Sequence, residues 1–562
     1  MSLITPSKND AVQQLYTSAV PNSDAVSIGW TYPAPQNIAM SSLGYLSLFQ
    51  RMDQNPRIRA TQVSTDTLLH YQPNEFDLIG FSMSFELDIL AILDIFHQWQ
   101  LPVIAVERRE HHPLVFAGGP VPITNPEPYA DFFDFFLIGE GEDLLNELIE
   151  TYQDYQKIHP TASRHQLLRH LAANVAGCYV PSLYQIEYAS LSDGPITHIQ
   201  PKYEDIPAVI EKRIFSRQEM AQTVTQSPFL TEDCVFPNTF LVEVMRGCAH
   251  RCRFCLASYS MLPARGPQLE PLKEAIRFGL QYTNKIGLLG ALIADNPEFP
   301  ELCEFLQHEM HQRPDLKLSS ASLRIDTLTP QIAETFKQGG QQQLTFAIES
   351  GSERLRRRIN KNLKQDKIFD AADIMARSGI KAMKLYGMVG LPDESDEDIE
   401  ALGTLVQDLK KAQPKLEFIL GCSSFVPKAA TPFQWQPRPD NKTIDRRFDI
   451  LNKMLLKKAK FRPSSTKWDF LQAVLSRGDR RLTQLIIRFH QFGATLGSLN
   501  RAYKSLCDEG ATPCPPPAWY ALRDRAEKDP FAERFPWDMI HLGVDKPLLY
   551  QEGLPPKSLT GV

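Results

Sequence analysis

No stretch of the 562-residue sequence approaches the roughly 20 consecutive apolar residues of a membrane-spanning helix, so no span is expected. The opening "MSLITPSKNDAVQQLY" lacks the basic, apolar and small-residue layout of a secretory signal, and the expected location is cytoplasmic. An excess of positive charge is also missing. Lys and Arg number 60 against 66 Asp and Glu, for a net charge of -6. That balance argues against a general nucleic-acid coat, while a local basic groove stays compatible with it. Cysteines are few, at nine, and outside one cluster they are scattered. An odd, scattered set excludes a disulfide scaffold and favours ligation at the cluster, with small buried thiols elsewhere.

What is present is a repeated alternation of apolar runs and amphipathic helical patterns. Length alone suggests about three or four domains. Within residues 1–177, "AVSIGWTY", "FDLIGFSMS", "LPVIAVE", "PLVFAGGP" and "FDFFLIGEGE" read as strands between helices such as "ELDILAILDIFHQW". Continuous apolar strands between helices predict an α/β domain with a doubly wound parallel sheet. Residues 178–238 are Pro-rich and read as a small β-rich connector. From 239 to 462, six strand–helix repeats begin with "TFLVEVMRG" and end with "EFILGCSSFVP", which predicts a partial (β/α)6 barrel. Residues 463–562 read as a helical and then loop-rich extension.

The richest stretch is "RGCAHRCRFCLASY", residues 246–259, in which Cys248, Cys252 and Cys255 occupy eight positions just after the first barrel strand. Structural zinc takes four tetrahedral ligands, and no fourth cysteine lies nearby. His250 sits inside the first loop, poorly placed to close a tetrahedron with its neighbours. An iron–sulfur cluster takes one thiolate per iron, so three thiolates on a four-iron cluster leave one iron open to a small molecule.

The C-x-x-x-C-x-x-C spacing, with Phe254 as the aromatic before the last cysteine, resembles the radical S-adenosylmethionine superfamily. The resemblance implies that Cys248, Cys252 and Cys255 hold a 4Fe-4S cluster whose open iron chelates S-adenosylmethionine. Reductive cleavage of that cofactor then gives a 5′-deoxyadenosyl radical that abstracts hydrogen from a substrate. Carried over residue by residue, "IESG" makes Glu349 a candidate for the ribose hydroxyls. "SLRID" places Ser322 and Arg324 at the cofactor's carboxylate, and "YGMVGLP" places Met388, Val389 and Gly390 at its adenine. Arg246, Arg251 and Arg253 would bring positive charge near the cluster. The usual Gly-Gly-Glu turn after strand two is replaced by "LLGALIADNPEF", where Gly290 and Asp295 are weak substitutes. No residue is assigned to the chemistry beyond cofactor cleavage.

The first domain resembles the cobalamin-binding-type domain that precedes the barrel in one large branch, in a subgroup that also carries "NPEP", "GEGE", "GCYVPSLY" and "SRGDRR". That resemblance adds cobalamin-dependent methyl transfer as one outcome of the radical chemistry. The D-x-H-x-x-G histidine motif of many corrinoid domains is missing: Asp66 and His70 have the wrong spacing, and His111 and His112 read as solvated. Gly118, Gly119, Gly139 and Gly141 are either a nucleotide cradle or plain tight turns. The basic run from Arg354 to Lys364 reads as a solvated helix face. Cys422 reads as a buried apolar residue. A reductant of flavodoxin or ferredoxin type is the implied partner. A non-catalytic redox-sensing or structural iron–sulfur protein is the alternative.

Overall fold

Short apolar runs become parallel strands in two sheet systems, and the computed structural model describes residues 12–320, 323–510, 514–526 and 529–555. The first sheet contains β1 (Val26–Thr31), β2 (Ile58–Val63), β3 (Leu78–Ser82), β4 (Leu114–Gly118), β5 (Phe135–Leu137) and β6 (Cys178–Tyr179). Its strand order is β2-β1-β3-β4-β5-β6. The first five strands run parallel and β6 joins β5 antiparallel. This is a doubly wound order, reversing between β1 and β3. Helix Asp88–Gln98 covers one part of it, burying Ile89, Ile92, Leu93, Ile95 and Phe96 on one face.

Two details depart from the sequence reading. Edge strand β2, "IRATQV", was not anticipated, because only its end residues Ile58 and Val63 are fully buried. "LPVIAVE" forms no strand and instead holds a single 3₁₀ turn, Ala105–Glu107. The reason is Arg108, whose buried guanidinium gathers that segment. It donates to Pro102 O (3.1 Å), Phe132 O (2.6 Å) and Asp134 Oδ2 (3.1 Å). Strand β6 lies within the stretch read as connector, so the first sheet extends past residue 177. The rest of that stretch contains the antiparallel hairpin Tyr184–Tyr188 with Ile196–Pro201.

The second system comprises β7 (Phe240–Met245), β8 (Lys285–Gly290), β9 (Lys317–Ser320), β10 (Gln343–Glu349), β11 (Ala382–Val389), β12 (Glu417–Ser424) and β13 (Lys460–Pro463). It forms a three-stranded and a four-stranded parallel sheet, joined by a parallel bridge between Leu323 and Phe346. The six expected strands are all present, and β13 adds a seventh. β7 and β13 are not paired with each other among the described residues. Alternate strand residues such as Val242, Val244, Ile286, Leu288, Phe346 and Ile348 pack with the surrounding helices, and Cys422 belongs to this core.

The C-terminal helices Thr466–Arg477, Thr483–Gln491 and Ser498–Asp508 do not stand apart. Leu471, Val474, Leu485 and Phe489 join the core of the first domain. Asn125 of "NPEP" donates to Ser476 O (3.2 Å) and Gly478 O (3.0 Å) of "SRGDRR". Arg480 grips Glu127 through two contacts of 2.9 Å and reaches the Tyr179 hydroxyl of "GCYVPSLY" at 3.1 Å. Three of the subgroup's motifs are therefore one docking joint. No helix among the described residues is long and apolar enough to cross a membrane.

Candidate functional site

The site begins where β7 ends. Gly247 turns the chain in the left-handed region (φ 73°), where a Cβ would collide with the carbonyl of Met261. The loop then presents Cys248, Cys252 and Cys255 before a short turn, Leu256–Ser258. All three cysteines are free; Cys252 is buried and the other two are half-buried. They share one environment. Burial pushes the Cys252 thiol up to about 12, the Lys361 ammonium pulls against this, and Cys255, Glu349 and Cys248 add to the rise. Burial also raises Cys255, with Cys248 contributing.

This donor set fits a multi-iron cluster better than a single ion. Three free thiols would supply one ligand each to three irons of such a cluster. Arg251, between Cys248 and Cys252, has no hydrogen-bond partner for Nε or Nη2 among the described residues, and its anionic neighbour is Glu552, 2.8 Å from Nη2.

Behind the loop lies the segment read as a solvated basic face, and the structure corrects that reading: Arg356, Arg358 and Lys361 are buried. Arg356 donates to Leu363 O (2.7 Å) and Ser350 O (2.8 Å). Asn360 Nδ2 donates to His250 O (3.1 Å) and Arg251 O (2.9 Å), fastening the cysteine loop from behind. Lys361 Nζ donates to Glu349 Oε1 at 2.9 Å, and both side chains are about one-tenth exposed. Glu349 ends β10 in the left-handed region (φ 63°). Arg324 donates to Lys361 O (3.0 Å) and pairs with Asp326 at 2.6 Å. Ser322 lies outside the described residues.

Phe254 and Met388 meet on the same small apolar cluster, with Leu355, Ile359, Leu391, Phe425 and Phe433. Val389 does not join them: it is fully buried in the core shared with the helices. Gly390 donates its N–H to Glu394 Oε2 (2.6 Å), and a Cβ there would press on the Pro439 ring. Asp295 is held by His250 at 2.8 Å. Of the three arginines in the motif, Arg246 is committed to Glu243, Glu142 and Glu140 at 2.7–3.2 Å, tying the loop to the "GEGE" turn. Arg253 donates to the carbonyl of Arg358. Arg251 pairs with Glu552 at 2.8 Å and lies over the Tyr259 ring.

The glycine turns of the first domain are filled by protein. A Cβ on Gly119 would meet Met83 O, and one on Gly139 would meet the backbone of Arg213. His111 and His112 lie with their ring centroids 4.0 Å apart and tilted by 41° in the loop before β4, at the amino edge of the sheet, opposite its ligand-binding edge. These residues do not fit a histidine-ligated corrinoid. Sequence reading missed Asn360, Lys361, Tyr259 and Glu552. The first two sit inside the basic run, and only their position after "IESG" hinted at the site.

Comparison with known proteins agrees with this picture. Residues 48–181 match the family described as radical SAM proteins, N-terminal, and residues 242–406 match the radical SAM superfamily. An uncharacterized protein of Methanocaldococcus jannaschii is 28% identical over 427 residues, 73% of this chain and 80% of that protein. An uncharacterized methyltransferase of Pyrococcus horikoshii is 27% identical over 164 residues, 29% of this chain and 35% of that protein. The radical S-adenosylmethionine methyltransferase TsrM from Kitasatospora setae, solved with cobalamin and a 4Fe-4S cluster, has a TM-score of 0.50. That match has 11% identity and covers 86% of this chain and 99% of TsrM; the likeness is one of fold.

Proposed function

We propose, for a chain that belongs to the radical SAM superfamily and to its enzymes, that Cys248, Cys252 and Cys255 hold a 4Fe-4S cluster and that S-adenosylmethionine binds beside it. When bound, the cluster supplies one electron, from a flavodoxin- or ferredoxin-type donor, that splits the sulfonium into methionine and a 5′-deoxyadenosyl radical. The protein's own part is holding and drying the site. The loop turn at Arg251 and the Asn360 amide fix the three thiols relative to one another. Phe254 and Met388 pack on one apolar cluster and are the candidates for the wall against the cofactor. Glu349 is the candidate acceptor for ribose hydroxyls, with Lys361 holding its carboxylate, and Arg324 is the candidate partner for the cofactor's carboxylate. Val389 and Gly390 shape the turn that carries Met388.

The reading's main support is that three free thiols follow the first strand and that Lys361, Cys255, Glu349 and Cys248 all act on the Cys252 thiol. The proposed chemistry ends at hydrogen abstraction from a substrate. Anaerobic reconstitution with iron and sulfide, followed by S-adenosylmethionine and dithionite, tests it by mass spectrometry. The expected product is 5′-deoxyadenosine, and Cys252→Ala should lose both cluster and product. A fully loaded protein that forms none would refute the reading, and product formation by Cys252→Ala would refute the ligand assignment.

A further inference from the structure

The loop that carries the three thiols is clamped from the far end of the chain. Helix Lys546–Gly553 packs through Leu549 into a cluster with Tyr259, Ala429, Trp435, Phe535 and Trp537. At its end, Glu552 Oε1 lies 2.8 Å from Arg251 Nη2, and Oε2 lies 2.9 Å from the Tyr259 hydroxyl. That hydroxyl is also 3.1 Å from the carbonyl of Arg251, and the Arg251 guanidinium lies over the Tyr259 ring at 5.5 Å. One residue on, the carbonyl of Gly553 accepts from Arg358 Nη1 at 2.8 Å. Gly553 is pressed against Pro432, where a side chain would collide.

The grip falls where the loop most needs one. Arg251 is a non-glycine residue in the left-handed region (φ 52°), between Cys248 and Cys252. Such a conformation persists only when its surroundings impose it. Its carbonyl is held by Asn360 and Tyr259, and its guanidinium by Glu552. Without the carboxylate, a half-buried arginine beside the thiols has no anionic partner, and the turn loses the contact that fixes its side chain.

We infer that Glu552 is a positioning residue: it holds Arg251, and through Arg251 the turn that sets Cys248 and Cys252 toward a common cluster. This rests on the assignment of those cysteines as cluster ligands. The C-terminal helix thus completes the cluster-binding loop.

The test uses the full chain and two readouts that do not depend on turnover. In the cluster-free protein, amide hydrogen exchange is followed across residues 247–259. In the reconstituted protein, the rate of iron release to a strong chelator is measured. Glu552→Ala should speed exchange within 247–259 while the first-domain strands keep wild-type rates. It should also release iron about tenfold faster, the fold-change expected from losing the hydrogen bond that the Tyr259 hydroxyl donates to the Glu552 carboxylate. Glu552→Gln, which keeps the shape and drops the charge, should fall between. The exchanged pair Arg251→Glu with Glu552→Arg should recover part of the loss. Wild-type exchange and release in both single variants would overturn the inference. So would loosening spread evenly through the molecule, which would mark Glu552 as general support. Should wild-type protein take up no cluster, the ligand assignment fails, and the exchange arm still decides whether Glu552 holds the loop.

Discussion

Lys361 and Glu349 illustrate how a single pair can tie structure to chemistry. Each is nearly sealed from water, and neither charge is affordable alone at that depth. Lys361→Met should therefore lower stability by about 3–5 kcal/mol in urea unfolding, because it strands the Glu349 carboxylate. Adding Glu349→Gln should recover most of that loss; a double variant as unstable as the single would separate the two residues energetically. The cysteine triplet was legible in the sequence because its spacing is local and its chemistry narrow. Lys361 was not, because a dense basic run ordinarily marks a solvated face. Here the buried guanidinium groups are met locally instead: Arg356 by the carbonyls of Ser350 and Leu363, Arg358 by the carbonyl of Gly553 and the carboxylate of Asp393. Glu552 left no local signal, since its partners lie about 300 residues away along the chain.

At the scale of elements, strands buried on both faces were legible and edge or capping features were not. β3, β4 and β5 are continuous apolar runs, whereas β2 alternates too weakly to announce itself. "LPVIAVE" is apolar enough for a strand but yields to the buried Arg108 at its end. The start of helix Asp88–Gln98 offers a measurable consequence. Asp88 accepts from the N–H groups of Ser84 (2.7 Å) and Phe85 (2.9 Å). Burial outweighs both bonds and pushes its carboxyl up to about 6. A carboxyl raised on folding binds its proton more tightly in the folded state. Its contribution is full below about pH 4 and fades as pH rises through about 6. Asp88→Asn removes that contribution. The stability of wild type minus variant, from urea unfolding, should fall between about pH 4 and 6 and level off above about 7. A difference that stays constant over this range would contradict the assignment.

Across the whole molecule, the first domain and the C-terminal helices share one core, so the boundaries read from the sequence mark chain segments more than independent bodies. Periodicity identified the helices of the tail but carried no information about which core they complete. The joint between "NPEP", "GCYVPSLY" and "SRGDRR" does: the Glu127 side chain is fully buried and its charge is met by Arg480. Arg480→Met should lower stability by about 3–5 kcal/mol, as expected for a buried carboxylate left without its partner. Limited proteolysis should then cut first within residues 483–508. Unchanged unfolding and cleavage would show that apolar packing alone holds the tail.

The clamp at Glu552 also orders events in time. About 300 residues separate Cys255 from Glu552, which at about 5–20 residues per second is a delay of tens of seconds during synthesis. Until Glu552 has been made and has emerged, the turn at Arg251 lacks its last fastening. The turn at Arg251 is therefore fixed only once helix Lys546–Gly553 has been made and has docked.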